Sequence, residues 1–198
     1  MGSSGSLRVA LSGASGLIGK ALKASFEADG HAVVALCRRK GEPGVFWDPA
    51  SGTVDAAGLE GIDAVVHLAG ENIASGRWNP ARKAAIKDSR VRGTSILAGA
   101  LAGLKRKPRV FVAASAVGFY GDCDDTVDES AGPGGDFLAQ VCSAWEEAAG
   151  PAARAGIRVV NARLGVVLTP EGGALAKMLT PFKLGVGGPL GSGRQAFA

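Results

Sequence analysis

Apolar and polar positions alternate in blocks along the chain: short continuous apolar runs, each followed by a longer stretch with helical spacing. The runs are "LRVALSG" (7–13), "HAVVALC" (31–37), "DAVVHLAG" (63–70), "RVFVAASA" (109–116) and "IRVVNARLGVVL" (157–168). Runs that are continuous rather than alternating belong to strands covered on both faces, which is the situation of a parallel sheet with helices above and below. The pattern predicts an α/β fold with a doubly wound parallel sheet and helices on both faces.

The intervening stretches carry helix signals. "GLIGKALKASFEADG" (16–30) links the first two runs as a helix that starts near Gly16. Asn79 and Pro80 supply an N-cap and a first-turn proline for a long helix reaching Leu104, with the basic "KRKP" at its end suiting the helix dipole. Asp136 caps a second helix, "FLAQVCSAWEEAAGPAARAG", which Gly150-Pro151 should interrupt. A third, around "GGALAKMLTPF", is expected to end before Pro181. "VFWDPASGTVD" (45–55) reads as a small extended excursion with a turn at the sheet edge.

Composition narrows the class. With 198 residues, 46% hydrophobic and 20% charged, the chain suits one well-buried domain. The opening "MGSSGS" (1–6) is small and polar and reads as an expression scar, with the domain proper at 7–180. The glycine-rich tail at 181–198 looks cut rather than finished. No apolar run approaches the roughly 18 residues of a membrane span, so a soluble protein without membrane partners is expected. Cys37, Cys123 and Cys142 are odd in number and widely spaced, which predicts neither disulfides nor a metal site and fits a cytoplasmic location. Ten of the 22 basic residues lie between Arg77 and Arg109, with Asp88 the one acid among them. A nucleic-acid face and a solvated helix surface both fit that asymmetry; the second is preferred, and no nucleic-acid partner is expected.

Candidate chemistry begins at "SGASGLIGKAL" (12–22), where Gly13, Gly16 and Gly19 follow the first strand and open the first helix. A dinucleotide pyrophosphate rests on backbone amides at that place in a doubly wound sheet, and glycines keep side chains out of its way. The spacing G-x-x-G-x-x-G departs from the commonest fingerprint, so position in the fold carries the reading. The second strand ends in Cys37-Arg38-Arg39-Lys40, where a carboxylate would favour NAD and cations favour the 2′-phosphate of NADP. His67 lacks a carboxylate or nucleophile at readable spacing and is taken as a lining residue at most.

Together "SGASGLIG", "DAVVHLAGENI", "RWN", "SRVRGT", "SAVGFYGD", "GVVL" and "KMLTPFKLGVGGPLGSGRQ" resemble the short-chain dehydrogenase/reductase superfamily. Within it they look like the extended, epimerase-like branch of NAD(P)-binding epimerase family proteins. The resemblance implies a Rossmann-type domain that holds NADP(H) through Gly13, Ser15, Gly16, Leu17, Ile18, Gly19, Arg38, Arg39, Leu68, Ala69, Gly70, Arg90 and Ser115. Arg90 takes the place of the asparagine that begins the branch's N-V-x-G-T stretch and is expected at the cofactor phosphates. The 181–198 segment would begin a substrate-side loop.

Members of this superfamily transfer a proton with a tyrosine that has a lysine four residues on, and a serine holds the reacting oxygen. Tyr120 is the one tyrosine here, and four residues beyond it stands Asp124. Anchoring the pattern on Glu146 puts Leu138 at the tyrosine's place and Cys142 at the lysine's. Ser115 matches the serine, and Tyr120 is the candidate stand-in acid. Cys142 is read as a small buried hydrophobe, and the acids from Asp122 to Glu129 as a solvated loop. The resemblance implies an NADP-dependent oxidoreductase or epimerase with a small, sugar-like substrate, paired as a homodimer. The alternative is an NADP-binding regulator or scaffold without turnover.

Overall fold

The computed structural model describes residues 5–123, 125–189 and 191–193. Residues 1–4 of the expected scar, and residues 190 and 194–198 of the tail, lie outside them. The chain builds β1 (Arg8–Ser12), α1 (Leu17–Ala28), β2 (Ala32–Cys37), β3 (Val45–Asp48), β4 (Thr53–Val54), β5 (Ala64–His67), α2 (Pro80–Ala102) and β6 (Val110–Ala116). It continues through α3 (Phe137–Glu147), α4 (Gly150–Arg154), β7 (Arg158–Leu164) and α5 (Gly173–Lys183). The sheet order is β4-β3-β2-β1-β5-β6-β7. Every neighbouring pair is parallel except β3 and β4, which form the antiparallel hairpin at the edge. This is a Rossmann-type sheet, and its order reverses between β1 and β5.

Helices lie on both faces. Leu22 and Phe26 of α1 pack on Val9, Leu11 and Val66. The larger core lies on the other face, where Leu97, Ala98 and Leu101 of α2 and Ala149 and Ala152 near α4 meet Val65, Phe111 and Trp47. Burial of such side chains contributes about 1.5–3 kcal/mol each, so this second face carries most of the hydrophobic stabilisation. Asn79 and Asp136 cap their helices as the sequence predicts, accepting from the amides of Arg82 and Ala139 at 2.8 Å each.

Three boundaries differ from expectation. The α2 helix ends at Ala102 with no basic residue in its last turn. The basic run lies beyond it, where the Lys105 and Arg106 amides donate to the Glu60 carboxylate at 2.9 and 3.0 Å. The α5 helix runs past Pro181 to Lys183, because a proline so near the end removes a single intrahelical hydrogen bond. The β7 strand stops at Leu164 rather than Leu168, since its partner β6 runs out at Ala116 and leaves nothing for Val166 and Val167 to pair with. No helix among the described residues is long and apolar enough to cross a membrane, and among them no cluster of side chains could hold a metal ion.

Candidate functional site

The reversal of strand order opens a crevice at the carboxyl ends of β1 and β5, the general ligand position of an open α/β sheet. Gly13 turns the chain there with φ of +70°, and the Gly16 amide donates to its carbonyl at 2.9 Å. Gly16 is the N-cap of α1, and no side chain caps that helix, so its first amides face the crevice unclaimed by a local side chain. A Cβ on Gly19 would stand 2.1 Å from the Gly13 carbonyl oxygen, which shows how closely helix and turn approach. Ser15 is exposed beside the turn, and Leu17 and Ile18 lead into the helix. The turn has the shape of an anion cradle, and a nicotinamide dinucleotide's pyrophosphate fits it.

Across the crevice, Leu68, Ala69 and Gly70 follow β5, and a Cβ on Gly13 would meet the Ala69 nitrogen at 3.2 Å. Ser12, which no sequence motif singles out, joins the two strand ends. Its Oγ accepts from the Leu68 and Ala69 amides at 3.0 and 3.2 Å and lies 2.6 Å from His67 Nδ1. With both lone pairs taken, the Ser12 proton goes to Nδ1, which fixes the neutral tautomer carrying its hydrogen on Nε2. His67 is fully buried between Trp47 and Phe111. Burial pushes its pKa down to about 4. It does not line the crevice: it is a core residue that anchors Ser12.

Arg38 and Arg39 are exposed at the carboxyl end of β2, and Arg39 pairs with Glu42 at 3.7 Å. Arg90 lies beside Gly70, with Nη1 donating to the Glu71 and Ile86 carbonyls and its guanidinium 5.0 Å from the Trp145 ring. Burial pushes that guanidinium below its ordinary value, with the Cys142 and Glu71 charges acting the other way.

Ser115 is buried at the end of β6. Its hydroxyl donates to Glu146 Oε1 at 2.6 Å. Arg163, from β7, grips the same carboxylate with Nε on Oε1 at 2.9 Å and Nη2 on Oε2 at 3.0 Å. Its Nη1 donates to the Tyr120 phenolic oxygen at 2.9 Å. Burial opposes ionisation of Glu146, yet the Arg163 and Ser115 hydrogen bonds hold the carboxyl below the usual carboxylate range. The hydrogen bond to Glu146 in turn lifts the Arg163 guanidinium above its ordinary value. The fold therefore brings the two predicted catalytic candidates to opposite sides of one ion pair.

In the sequence Glu146 stands out only by its spacing from Leu138 and Cys142, and no motif marks Arg163. A signal was present: an arginine inside an apolar strand needs a carboxylate partner. Leu138 packs against Gly118, whose Cβ would lie 3.5 Å from it. Cys142 is buried, and burial pushes its thiol up although the Ala116 backbone and the Arg90 charge act the other way. Neither is equipped to replace the usual tyrosine and lysine. The described acids between 122 and 129 are exposed.

The model of the NAD dependent epimerase/dehydratase family matches residues 9–195. The chain is 46% identical over 190 residues to the epimerase family protein MT2273 of Mycobacterium tuberculosis, covering 94% of this chain and 62% of that one. It is 38% identical over 195 residues to epimerase family protein SDR39U1 of Homo sapiens, covering 96% and 65%. Among solved structures, the human SDR39U1 (isoform 2) crystallised with NADPH has a TM-score of 0.85 at 37% identity, covering 96% of this chain and 64% of that one. A nucleoside-diphosphate sugar epimerase from Corynebacterium glutamicum has a TM-score of 0.84 at 40% identity, covering 98% and 40%. The chain spans about three-fifths of the length of the curated relatives it matches.

Proposed function

Because this chain belongs to the NAD dependent epimerase/dehydratase family, we propose that it holds NADP(H) in the β1/β5 crevice and serves an oxidoreductase or epimerase reaction on a small, sugar-like substrate. The observation that carries the reading is the glycine turn at the point of strand reversal, with the N-terminus of α1 open above it. Gly13, Ser15, Gly16, Leu17, Ile18 and Gly19 would cradle the pyrophosphate, with Leu68, Ala69 and Gly70 forming the opposite wall. The preference for NADP rests on Arg38 and Arg39, two exposed cations where a ribose-binding carboxylate would otherwise stand. Arg90, beside Gly70, adds positive charge to the same crevice. The relative crystallised with NADPH supports the choice of cofactor.

The bound nicotinamide would supply hydride chemistry. Toward a substrate, this chain offers Ser115 as a group that positions an oxygen and Tyr120 as a proton donor. A cytoplasmic enzyme paired through α2 and α3 completes the reading; the three free cysteines suit a reducing compartment.

A second reading, NADP binding without turnover, is favoured by Leu138 and Cys142 at the places of the usual tyrosine and lysine. Loss of NADPH absorbance with a panel of carbonyl compounds separates the two. Turnover that disappears in Ser115→Ala is expected from the first reading. A protein that binds NADPH and consumes none across the panel supports the second.

A further inference from the structure

The most connected group of polar side chains among the described residues is the one that joins β6, β7 and α3: Ser115, Glu146, Arg163 and Tyr120. We propose that Glu146 and Arg163 are positioning residues that orient Ser115 and Tyr120 toward a ligand and replace, from β7, the cation that a helical lysine supplies elsewhere in the superfamily. The proposal rests on the reading of Ser115 and Tyr120 given above.

A serine hydroxyl has one proton, and Ser115 commits it to Glu146 Oε1 at 2.6 Å, the short distance of a charge-assisted bond. The Ser115 oxygen is left with lone pairs for a ligand and acts as an acceptor. Tyr120 is arranged in the opposite sense. Its oxygen receives Arg163 Nη1 at 2.9 Å, so the phenolic proton is free to point elsewhere as a donor. One acceptor and one donor suit a ligand hydroxyl, which both gives and takes a hydrogen bond.

The guanidinium is held from several sides. Its two bonds to Glu146 are the bidentate pair that fixes arginine in a plane. Its central carbon lies 3.5 Å from the Phe119 ring centroid and 5.0 Å from that of Tyr120. The Phe119 ring meets Tyr120 edge-on at 5.4 Å. The side chains of Arg163 and Glu146 are 18% and 13% exposed, so neither swings freely in solvent. When Tyr120 passes its proton to the ligand oxygen that accepts its hydrogen bond, the phenolic O–H bond breaks and a new ligand O–H bond forms. The negative charge then left on the phenolic oxygen already has Arg163 in contact, an arrangement that needs no reorganisation at the moment of transfer.

Tyr120 is the protein's single tyrosine, so a tyrosine spectrum reads this site alone. The tyrosine Fermi doublet in ultraviolet resonance Raman distinguishes a phenol that accepts a strong hydrogen bond from one that only donates. The wild-type protein is expected to give the acceptor ratio, Arg163→Met the donor ratio and Arg163→Lys an intermediate one. Glu146→Gln is expected to move the ratio toward that of Arg163→Met, because the carboxylate no longer anchors the guanidinium. Should Arg163→Met leave Glu146 unpaired and fail to fold, the double variant Arg163→Met with Glu146→Leu removes both charges and reads the same bond. An unchanged doublet in a natively folded Arg163→Met or double variant overturns the proposal. NADPH binding by the wild type is measured alongside. Failure of the wild type to bind NADPH would end the cofactor reading and leave the doublet result to stand by itself.

Discussion

Ser12 and His67 form a contact between residues 55 positions apart that decides how the crevice is stitched together. Because burial pushes the imidazole down to about 4 from 6.5, the folded state holds it neutral. The stability this represents is present above about pH 6.5 and is lost as pH falls toward 4, amounting to about 3 kcal/mol across that window. Urea unfolding at stepped pH is expected to show the loss, and His67→Gln is expected to flatten it; an equal slope in both proteins would contradict the account. Glu146, whose carboxyl is held low, adds a second loss in a more acidic window. Ser12→Ala removes the acceptor of the Ala69 amide and the donor to Nδ1 of His67, while the Leu68 amide keeps the Ser12 carbonyl at 3.3 Å, and is expected to cost about 2 kcal/mol in the same measurement. Neither Ser12 nor the Glu146–Arg163 pair was legible as a site in the sequence. Their partners come from other strands and helices, and spacing along the chain does not encode such meetings. Ser115 and Tyr120 were legible through motif position, but the ion pair between them was not.

Among the elements, α1 and α2 contain glycines of opposite meaning. Gly19 lies in the first turn of α1 against the Gly13 backbone, where a Cβ would come within 2.1 Å of a carbonyl oxygen. Gly19→Ala must push helix and turn apart, and calorimetry is expected to show NADPH affinity at least about tenfold weaker. Gly99 is exposed within α2 and would place its Cβ in open space. Gly99→Ala is expected to stabilise the protein by about 0.5–1 kcal/mol in denaturant unfolding. The order of strands and helices was readable because each buried strand is a continuous apolar run and α2 and α3 carry side-chain caps. Their ends were less so. β7 stops where β6 ceases to offer a partner, and α5 tolerates Pro181 because so little helix follows it. Those limits are set by neighbours rather than by local preference.

At the scale of the molecule, apolar exposure is uneven. Val160, Val166, Val167, Leu168, Phe182, Leu184 and Val186 are all exposed, seven of the ten large exposed hydrophobics among the described residues. The α5 helix buries none of its residues. A concentration of this kind between residues 160 and 186 promotes association in water. Sedimentation of this 198-residue chain at rising concentration is expected to show self-association. Leu184→Lys with Val186→Lys is expected to reduce it, whereas association that survives this pair and falls with charge changes on exposed α2 positions would belong to the α2 and α3 pairing proposed above. The measurement that bears most directly on the central claim is calorimetric titration with NADPH and NADH, on the wild type and on Arg38→Asp. The account predicts that the wild type binds both and NADPH more tightly, and that Arg38→Asp loses or reverses that preference while still binding NADH. Absence of binding by either nucleotide to the folded protein would contradict the cradle itself, and an unchanged preference in Arg38→Asp would contradict the assignment of the 2′-phosphate to Arg38.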